Sequence, residues 1–442
     1  MSNDVSSAEL IVGSADELGS IYRKIAFRVV PILMLLWILA WIDRVNVSFA
    51  KLQMMDELRF SDAVYGLGAG IFFIGYLIFE VPSNLLLQRI GARQTIARIA
   101  IGWGMTCVLM SFATTPAIFY ALRFMLGAFE AGFFPGVILY LTLWFPTDRR
   151  ARVFGIFMSS VALSGVFGGP LAGFVMSTFH GHIGLSGWQW LFIVEGVPTV
   201  MIGIFCLFYL TNRLEEAHWL SPEERAAVAA DLQRDHIMLG SREHDFRVII
   251  RDLRLWAFTF VYLCVIVANA TVAFWGPTII REAGIGSLTT IGWIVSGASL
   301  FGSAVMILNG IAADRTGRPL ILCVLSLVVA GVALGAVANF LHSAAEIAIV
   351  AFAFALGGAY GAIPVFWQMP NRLFAGTAAA GGIAVINSFG NLGGFLAPYG
   401  LGLLASQAGD VTAGLVAVGI VSLVAALATV LVARRFFVPG TI

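Results

Sequence analysis

Four charged residues stand out because they lie inside long apolar segments of the sequence. Asp43 and Arg44 are adjacent in the first such segment, and Arg123 and Glu130 lie in the fourth. A charge at the centre of a bilayer costs roughly 2.5–3.5 kcal/mol on insertion scales, so charges kept there usually serve a function. Two arginines could bind an anion and two carboxylates could bind a proton, which indicates proton-coupled uptake of an organic acid.

Arg123 and Glu130 are seven residues apart, so they share a helix face and lie about 10 Å apart along its axis. A substrate that draws an arginine away from a carboxylate leaves that carboxylate to bind a proton, and no metal or nucleotide is needed for this coupling. The alternative is a structural ion pair that only fastens the first and fourth segments together. The two possible pairs are Arg44 with Glu130 and Arg123 with Asp43.

The composition of the chain is that of a membrane protein. Apolar residues make up 59% of the sequence and charged residues 12%, and the mean hydropathy is +0.91. A soluble protein has about 25% charged residues. A helix needs about 20 apolar residues to cross a bilayer, so the apolar runs predict an all-α membrane protein with twelve transmembrane helices. The predicted spans are 27–50, 63–86, 94–115, 117–143, 152–178, 188–211, 253–279, 288–312, 319–340, 346–369, 376–405 and 411–433.

A polar stretch divides the chain into two halves of six spans each. We predict an N-terminal tail, a six-helix bundle, a central loop, a second six-helix bundle and a C-terminal tail, at 1–26, 27–211, 212–252, 253–434 and 435–442. With the N-terminus inside, 21 lysine and arginine residues fall in inner segments and 3 in outer segments. This asymmetry predicts a multi-pass protein of the inner (plasma) membrane with both termini in the cytoplasm.

The two halves contain matching motifs. Arg89–Arg93, after the second span, and Arg315–Arg318, after the eighth, both read Arg-x-Gly followed by a second arginine. The fifth and eleventh spans both contain closely spaced glycines and a proline, in Gly165–Pro170 and Gly390–Pro398. Small residues let helices approach closely, and proline permits bending. Two repeats around a site at the bilayer midplane are typical of an alternating-access transporter.

These motifs resemble those of the major facilitator superfamily over essentially the whole chain. The two Arg-x-Gly segments are similar to its signature between the second and third spans and to the repeat of that signature between the eighth and ninth. Gln88 departs from the pattern because an aspartate is common there, whereas Asp314 keeps it in the second copy. Four further segments resemble the anion:cation symporter family, and most of all its bacterial tartrate-type and organic-acid permeases: Trp41–Asn46, Phe79–Asn84, Arg123–Glu130 and Ile386–Gly394.

The resemblance implies that Arg44 and Arg123 bind an organic carboxylate and that Asp43 and Glu130 carry the coupled protons. Members of that family carry tartrate, hexonates, phthalate and aromatic acids. A tartrate-like hydroxy acid, a sugar acid and an aromatic carboxylate therefore all stay open as substrates. An organic-anion exchanger is a further alternative, because Gly165–Pro170 resembles a motif linked with exchange.

Other polar side chains are candidates for the substrate pocket and for a gate at the inner end. Besides the two arginines, the pocket candidates are Tyr76, Trp367, Gln368, Asn387 and Asn391. The asparagines share a helix face and could bind substrate hydroxyls or a neighbouring helix. The gate candidates, several of which would in any case orient the chain, are Glu80, Arg89, Arg93, Asp148, Asp314, Arg315 and Arg318. Glu195, in the sixth span, is interpreted as structural or interfacial.

Other classes of function find little support in the sequence. The four cysteines are far apart and no histidine lies within a span, so we expect no cofactor and no metal site. The chain has no Walker sequence that would bind ATP, and a net charge of +1 gives no field that attracts nucleic acid. A membrane-embedded enzyme would need catalytic groups that the spans lack, and a sensor would need a longer tail. We expect a monomer in the bilayer whose partners are a small organic anion and protons.

Overall fold

The computed structural model describes residues 15–239, 252–373 and 377–436, and the regular structure in these ranges is helical throughout. The first half contains α1 (Ala15–Leu58), α2 (Asp62–Ile90), α3 (Ala92–Met110), α4 (Pro116–Glu130), α5 (Phe133–Thr142), α6 (Thr147–Thr178) and α7 (Gly187–Tyr209). The central loop contains α8 (Pro222–Leu239). The second half contains α9 (Leu253–Glu282), α10 (Leu288–Thr316), α11 (Pro319–Phe340), α12 (Ala345–Leu373), α13 (Thr377–Gly390), α14 (Gly393–Ala408) and α15 (Thr412–Phe436).

Ten helical segments of the described ranges are long and apolar enough to cross a membrane. The third predicted span, α3, is not among them because Arg93 and Arg98 lower the hydropathy of its first half. The eleventh predicted span is divided into α13 and α14, each too short to cross alone. Helices α4 and α5 together form the fourth span. The all-α architecture of twelve spans predicted from the sequence is therefore confirmed.

Helix α1 extends beyond its predicted span at both ends. Its 44 residues correspond to about 66 Å, more than twice the thickness of the hydrocarbon core. The extra N-terminal turns pack against α8, where Lys24 forms an ion pair with Glu224 at 2.8 Å and Tyr22 donates to Asp231 at 2.8 Å. The hydrogen bond from Lys24 holds the pKa of Glu224 below its usual range. Residues 1–14, 240–251 and 437–442 of the predicted tails and central loop lie outside the described residues.

Each half contains a helix pair that crosses through facing glycines. In α3 and α7, a Cβ added at Gly196 would lie 2.7 Å from the carbonyl oxygen of Gly104. In α11 and α15, a Cβ added at Gly331 would lie 2.8 Å from the carbonyl oxygen of Gly419. The two backbones can approach this closely only where both helices lack side chains. The crossings occupy equivalent places in the two halves.

The halves contact each other at one end of the molecule, near Leu58, Asp62, Thr178 and Leu288, which we call the closed end. Helices α6 and α10 meet there, where a Cβ on Gly169 would lie 2.5 Å from the carbonyl oxygen of Gly292. Helices α2 and α14 meet in the same way, since a Cβ on Gly66 would lie 2.3 Å from the carbonyl oxygen of Pro398. The glycines of the fifth span thus provide the close helix contact that the sequence predicts.

Lys51, two turns before the end of α1, joins the halves within this closed end. Its ammonium group forms an ion pair with Asp62 at 2.8 Å and donates to Thr278 Oγ1 of α9 at 3.2 Å. It also lies 4.1 Å from the centre of the Trp275 ring, close enough for a cation–π contact. Lys51 is 6% exposed, so this link is shielded from solvent. At the other end, which we call the open end, Arg89, Asp148, Arg315 and Arg318 are exposed.

Candidate functional site

A break in the fourth span positions Glu130. Helix α4 is capped at its N-terminus by Thr115, whose side chain accepts from the backbone N–H of Ile118, and ends at Glu130. Two residues later Gly132 has φ +84°, a left-handed conformation that favours glycine. A Cβ there would lie 2.5 Å from Ser83 Oγ of α2. The turn therefore holds Glu130 at a helix end, tightly packed against α2.

Arg44 of α1 and Glu130 of α4 form an ion pair in the interior of the first half. The Arg44 side chain is 12% exposed, whereas that of Glu130 is fully buried. Arg44 Nε and Glu130 Oε2 have no hydrogen-bond partner among the described residues. The pair thus has a buried donor and a buried acceptor without partners, and the arginine is the member that a small molecule could reach.

Four aromatic rings surround the Arg44 guanidinium group. The centres of these rings lie 4.8 Å from its central carbon for Trp41, 5.2 Å for Phe72, 5.5 Å for Tyr76 and 5.9 Å for Trp37. Aromatic faces attract a cation without neutralising its charge. The cage therefore orients Arg44 and leaves its positive charge for an anion. Tyr76, a pocket candidate, is part of it.

Arg123 lies behind this cage and is fully buried. It donates to the backbone carbonyl oxygens of Gly68 at 3.1 Å and Ala69 at 3.4 Å. Its guanidinium carbon lies 5.2 Å from the centre of the Phe72 ring, the same distance as that of Arg44. Of the two structural ion pairs considered from the sequence, Arg44–Glu130 is formed and Arg123–Asp43 is not. A direct role of Arg123 in substrate binding stays a prediction.

Asp43 belongs to a second buried polar cluster, between α1, α3 and α7. It accepts hydrogen bonds from Trp103 Nε1 and from the thiol of Cys107, whose sulfur lies 3.3 Å away. Its side chain also interacts with the carboxyl group of Glu195. Asn46, one turn after Asp43, donates to Glu195 Oε2 at 2.6 Å. Asp43 and Glu195 are 0% and 1% exposed.

Glu195, interpreted from the sequence as structural or interfacial, belongs to this cluster. The signal was present in Glu195-Gly196, because the glycine brings α7 against Gly104 of α3. This crossing places Glu195 beside Cys107 and Asp43. Asp43 and Asn46, three residues apart, share the helix face that meets it.

The pocket candidates of the second half lie apart from Arg44. Gln368 donates to the gate candidate Asp314 at 3.0 Å, and Trp367 packs edge-to-face on Tyr262 with 4.8 Å between ring centres. Asn387 and Asn391 are half-buried at the break between α13 and α14. In the described part of the chain, no hydrogen bond, ion pair or ring contact joins these four residues to Arg44 or Tyr76. Their substrate-binding role stays a prediction.

The gate candidates lie toward the open end. Within the described ranges, no ion pair involves Arg89, Arg93, Asp148, Arg315 or Arg318. Glu80 is half-buried on α2. Their role as a gate would apply to a conformation that is closed at this end, and it stays a prediction.

No group of three or more metal-ligating side chains occurs in the described ranges. Cys107, Cys206, Cys264 and Cys323 are free thiols and are all buried.

Comparison with known proteins gives consistent results. Residues 33–398 match the profile of the Major Facilitator Superfamily. The chain is 42% identical, over 94% of its length and 95% of the relative, to a protein of Agrobacterium vitis named "Putative tartrate transporter". It is 41% identical, over 90% of both chains, to the "Putative metabolite transport protein NicT" of Pseudomonas putida. The fold matches a bacterial homologue of the human lysosomal transporter Spinster with a TM-score of 0.76, at 16% identity, over 95% of this chain and 99% of the other.

Proposed function

Because the chain belongs to the major facilitator superfamily of membrane transporters, we propose that it takes up an organic carboxylate together with protons by alternating access. The observation that carries this proposal is the Arg44–Glu130 pair. Arg44 is partly exposed and keeps a free donor, while its partner carboxylate is fully buried. An anion can therefore reach the cation, and the carboxylate it displaces cannot reach water.

Coupling of substrate and proton follows when the substrate displaces Glu130 from Arg44. The substrate carboxylate takes the Arg44 guanidinium through two parallel hydrogen bonds. Glu130 then lies in the protein interior without its counter-ion, and an isolated buried carboxylate is so costly that it binds a proton instead. Substrate and proton thus bind together. Arg123, fixed by the carbonyls of α2, positions Phe72 and the cage around Arg44.

The substrate we propose is a tartrate-like hydroxy acid or a sugar acid. The relative named for tartrate covers nearly the whole chain, and Asn387 and Asn391 offer amide groups to hydroxyls when the halves close. The aromatic cage of Trp37, Trp41, Phe72 and Tyr76 favours a second candidate, an aromatic carboxylate whose ring would stack there. An exchanger of organic anions would use the same arginine without the proton.

The distribution of basic residues supports an inner-membrane protein with both termini in the cytoplasm. The closed end would then be the outer end, and the present conformation would open toward the cytoplasm. In the opposite conformation Arg89, Arg93, Arg315 and Arg318 would approach Glu80, Asp148, Asp314 and helix C-termini of the other half. We propose that the protein does this as a monomer.

The test is uptake of labelled tartrate into proteoliposomes with an alkaline interior. Wild type should accumulate tartrate only with the pH gradient, and Arg44→Gln should not. Arg59→Gln, which removes an exposed arginine between α1 and α2, is the matched control and should behave like wild type. Competition by hexonates and aromatic carboxylates identifies the substrate class. Uptake that needs internal tartrate and ignores the gradient would establish exchange, and an Arg44→Gln protein with normal uptake would refute the proposal.

A further inference from the structure

The carboxyl group of Glu195 is only partly hydrogen-bonded by its neighbours. Its Oε2 accepts from Asn46, while its Oε1 has no hydrogen-bond partner among the described residues. The side chain is 1% exposed and lies beside Asp43, which accepts hydrogen bonds from Trp103 and Cys107. An acceptor without a donor in the protein interior costs about 1–3 kcal/mol. A proton between the two carboxyl groups removes that cost.

The charges around this pair contrast with those around Glu130. Glu195 accepts a hydrogen bond from the neutral amide of Asn46, and Asp43 accepts from the neutral donors of Trp103 and Cys107. Within the described residues, no lysine or arginine forms an ion pair with either carboxyl group. Two neighbouring carboxylates without a cation cannot both stay ionised in a medium of low dielectric constant, so they share a proton.

A cavity of about 60 Å³ lies beside Glu195, between the two halves. Its polar lining comes from Asn46 and Glu195, from Ser48 and Ser164 of the first half, and from Ser299 and Tyr360 of the second. A water molecule needs about 10–15 Å³ of such space and two to four polar partners. The cavity can therefore hold a short chain of water molecules. Asp43 does not line it, so Glu195 is the member of the pair that faces the cavity.

We propose that Glu195 is a proton-binding residue of the transport cycle, which shares one transported proton with Asp43 and exchanges it through this cavity. The inference rests on the proposed function, and it adds a proton site distinct from the Arg44–Glu130 pair. Residues of α6 and α10 form part of the cavity wall, and these two helices meet at the closed end. Separation of the halves there would open the cavity and expose Glu195 to the other side of the membrane. The proton shared with Asp43 can then leave or enter on that side.

The test is the dependence of substrate accumulation at equilibrium on the pH gradient, in proteoliposomes whose membrane potential is clamped at zero. The logarithm of the accumulation ratio rises with the pH difference by the number of protons carried per substrate. Glu195→Gln should lower this slope by one, which is about a 10-fold smaller accumulation for each pH unit of gradient. Gradient-free substrate exchange should be retained, because Arg44 and Glu130 are intact.

Two comparisons separate this role from a structural one. Asp43→Asn should also lower the slope by one, and the double variant should lose one proton and not two, because the pair binds a single proton. Glu346→Gln, which alters an exposed glutamate in the first turn of α12, should keep the wild-type slope. A wild-type slope in Glu195→Gln, or a loss of two in the double variant, would overturn the inference.

Infrared difference spectroscopy of the purified wild-type protein gives a second measurement that needs neither transport nor a variant. The pair should contribute the signal of a protonated buried carboxyl group at neutral pH, and this signal should vanish as the pH is raised. Its absence would overturn the inference even if transport proceeds. A wild-type protein that shows the signal but no gradient-driven uptake would instead contradict the proposed function.

Discussion

The two halves of the molecule use the same helix packing but bury different kinds of polar side chain. The glycine crossing of α3 and α7 has its counterpart in that of α11 and α15. Among the described residues, the buried charged side chains all lie in the first half: Asp43, Lys51, Arg123, Glu130 and Glu195. The buried polar side chains described in the second half are serines and threonines. Many of these return their hydroxyl to a carbonyl of their own helix, as Thr271 and Ser422 do.

This difference indicates that the two halves of the fold have different functions. A hydroxyl that bonds its own helix leaves the apolar character of that helix nearly unchanged. The second half can therefore slide against lipid and against the first half without moving a charge. Each buried charge of the first half has a cost that only a partner or a proton offsets. We infer that the first half binds the anion and the protons, and that the second half moves against it and closes the substrate pathway.

The largest effect is expected from Glu130→Gln in the first half. Glutamine cannot take up the proton that a displaced glutamate must bind, so the slope of accumulation against the pH gradient should fall to the contribution of the proton shared by Asp43 and Glu195. Substrate exchange should persist because Arg44 still binds the anion. Proteoliposome assays of both activities check this, with Glu346→Gln as the control. Normal gradient-driven accumulation in the variant would remove Glu130 from the coupling.

A methyl group at the crossing of the halves should have the next largest effect. In Gly169→Ala the added carbon would meet the carbonyl oxygen of Gly292 at 2.5 Å, and backbone must move to relieve it. Such overpacking costs about 1–3 kcal/mol. The conformation closed at this end should be depleted, and we expect roughly 10-fold slower uptake. Gly155→Ala lies on the same helix with no heavy atom within 4 Å of the new carbon, so it should transport at the wild-type rate.

The link at Lys51 should have a smaller effect on the same equilibrium. Lys51→Met removes the cation–π contact with Trp275 and the hydrogen bond to Thr278, a loss of about 1–2 kcal/mol between the halves. Spin labels on Arg59→Cys and Ser343→Cys, one exposed site in each half, would report the separation of the closed end. The native cysteines are buried, so labelling is selective. The population with the longer distance should increase about 5- to 30-fold.

Thr278→Val tests how much of this link depends on the hydroxyl group of the second half and how much on the charge of Lys51. The variant keeps the ion pair of Lys51 with Asp62, so the distance distribution should change less than in Lys51→Met. If both variants open the closed end by the same amount, the hydroxyl of the second half would matter as much as the charge. That result would contradict the division between the halves.

The sequence predicts the helices and part of the site because these depend on local properties. The twelve spans follow from apolar length alone, and Arg44 and Glu130 stand out because a charge in such a segment is costly wherever it lies. Gly132 also permits the break that ends α4, although its tight packing against Ser83 of α2 is visible only in the structure. These features need no knowledge of how the helices pack.

The partners of those residues depend on tertiary contacts that the sequence leaves open. The choice between Arg44–Glu130 and Arg123–Asp43 is made by α2, whose carbonyls at Gly68 and Ala69 bind Arg123. Glu195 joins Asp43 only because two glycines bring α7 onto α3. The length of α1 depends on α8, to which Lys24 and Tyr22 are bound. The sequence identifies these residues by their charge, but the packing of the helices determines which of them form pairs.

The smallest effect is expected from Asn391→Ala in the second half, and it tests the comparison most directly. The side chain is half-buried beside the break between α13 and α14, where it could bind one substrate hydroxyl. A neutral hydrogen bond contributes about 0.5–1.5 kcal/mol, so KM should rise about 2- to 10-fold. The slope of accumulation against the pH gradient should not change, because no proton-binding group is altered. Asn387→Ala should behave in the same way, whereas Ser388→Ala, at the neighbouring position, should not raise KM. A changed slope in either asparagine variant would show that the second half takes part in proton coupling, and the two halves would then share the chemistry.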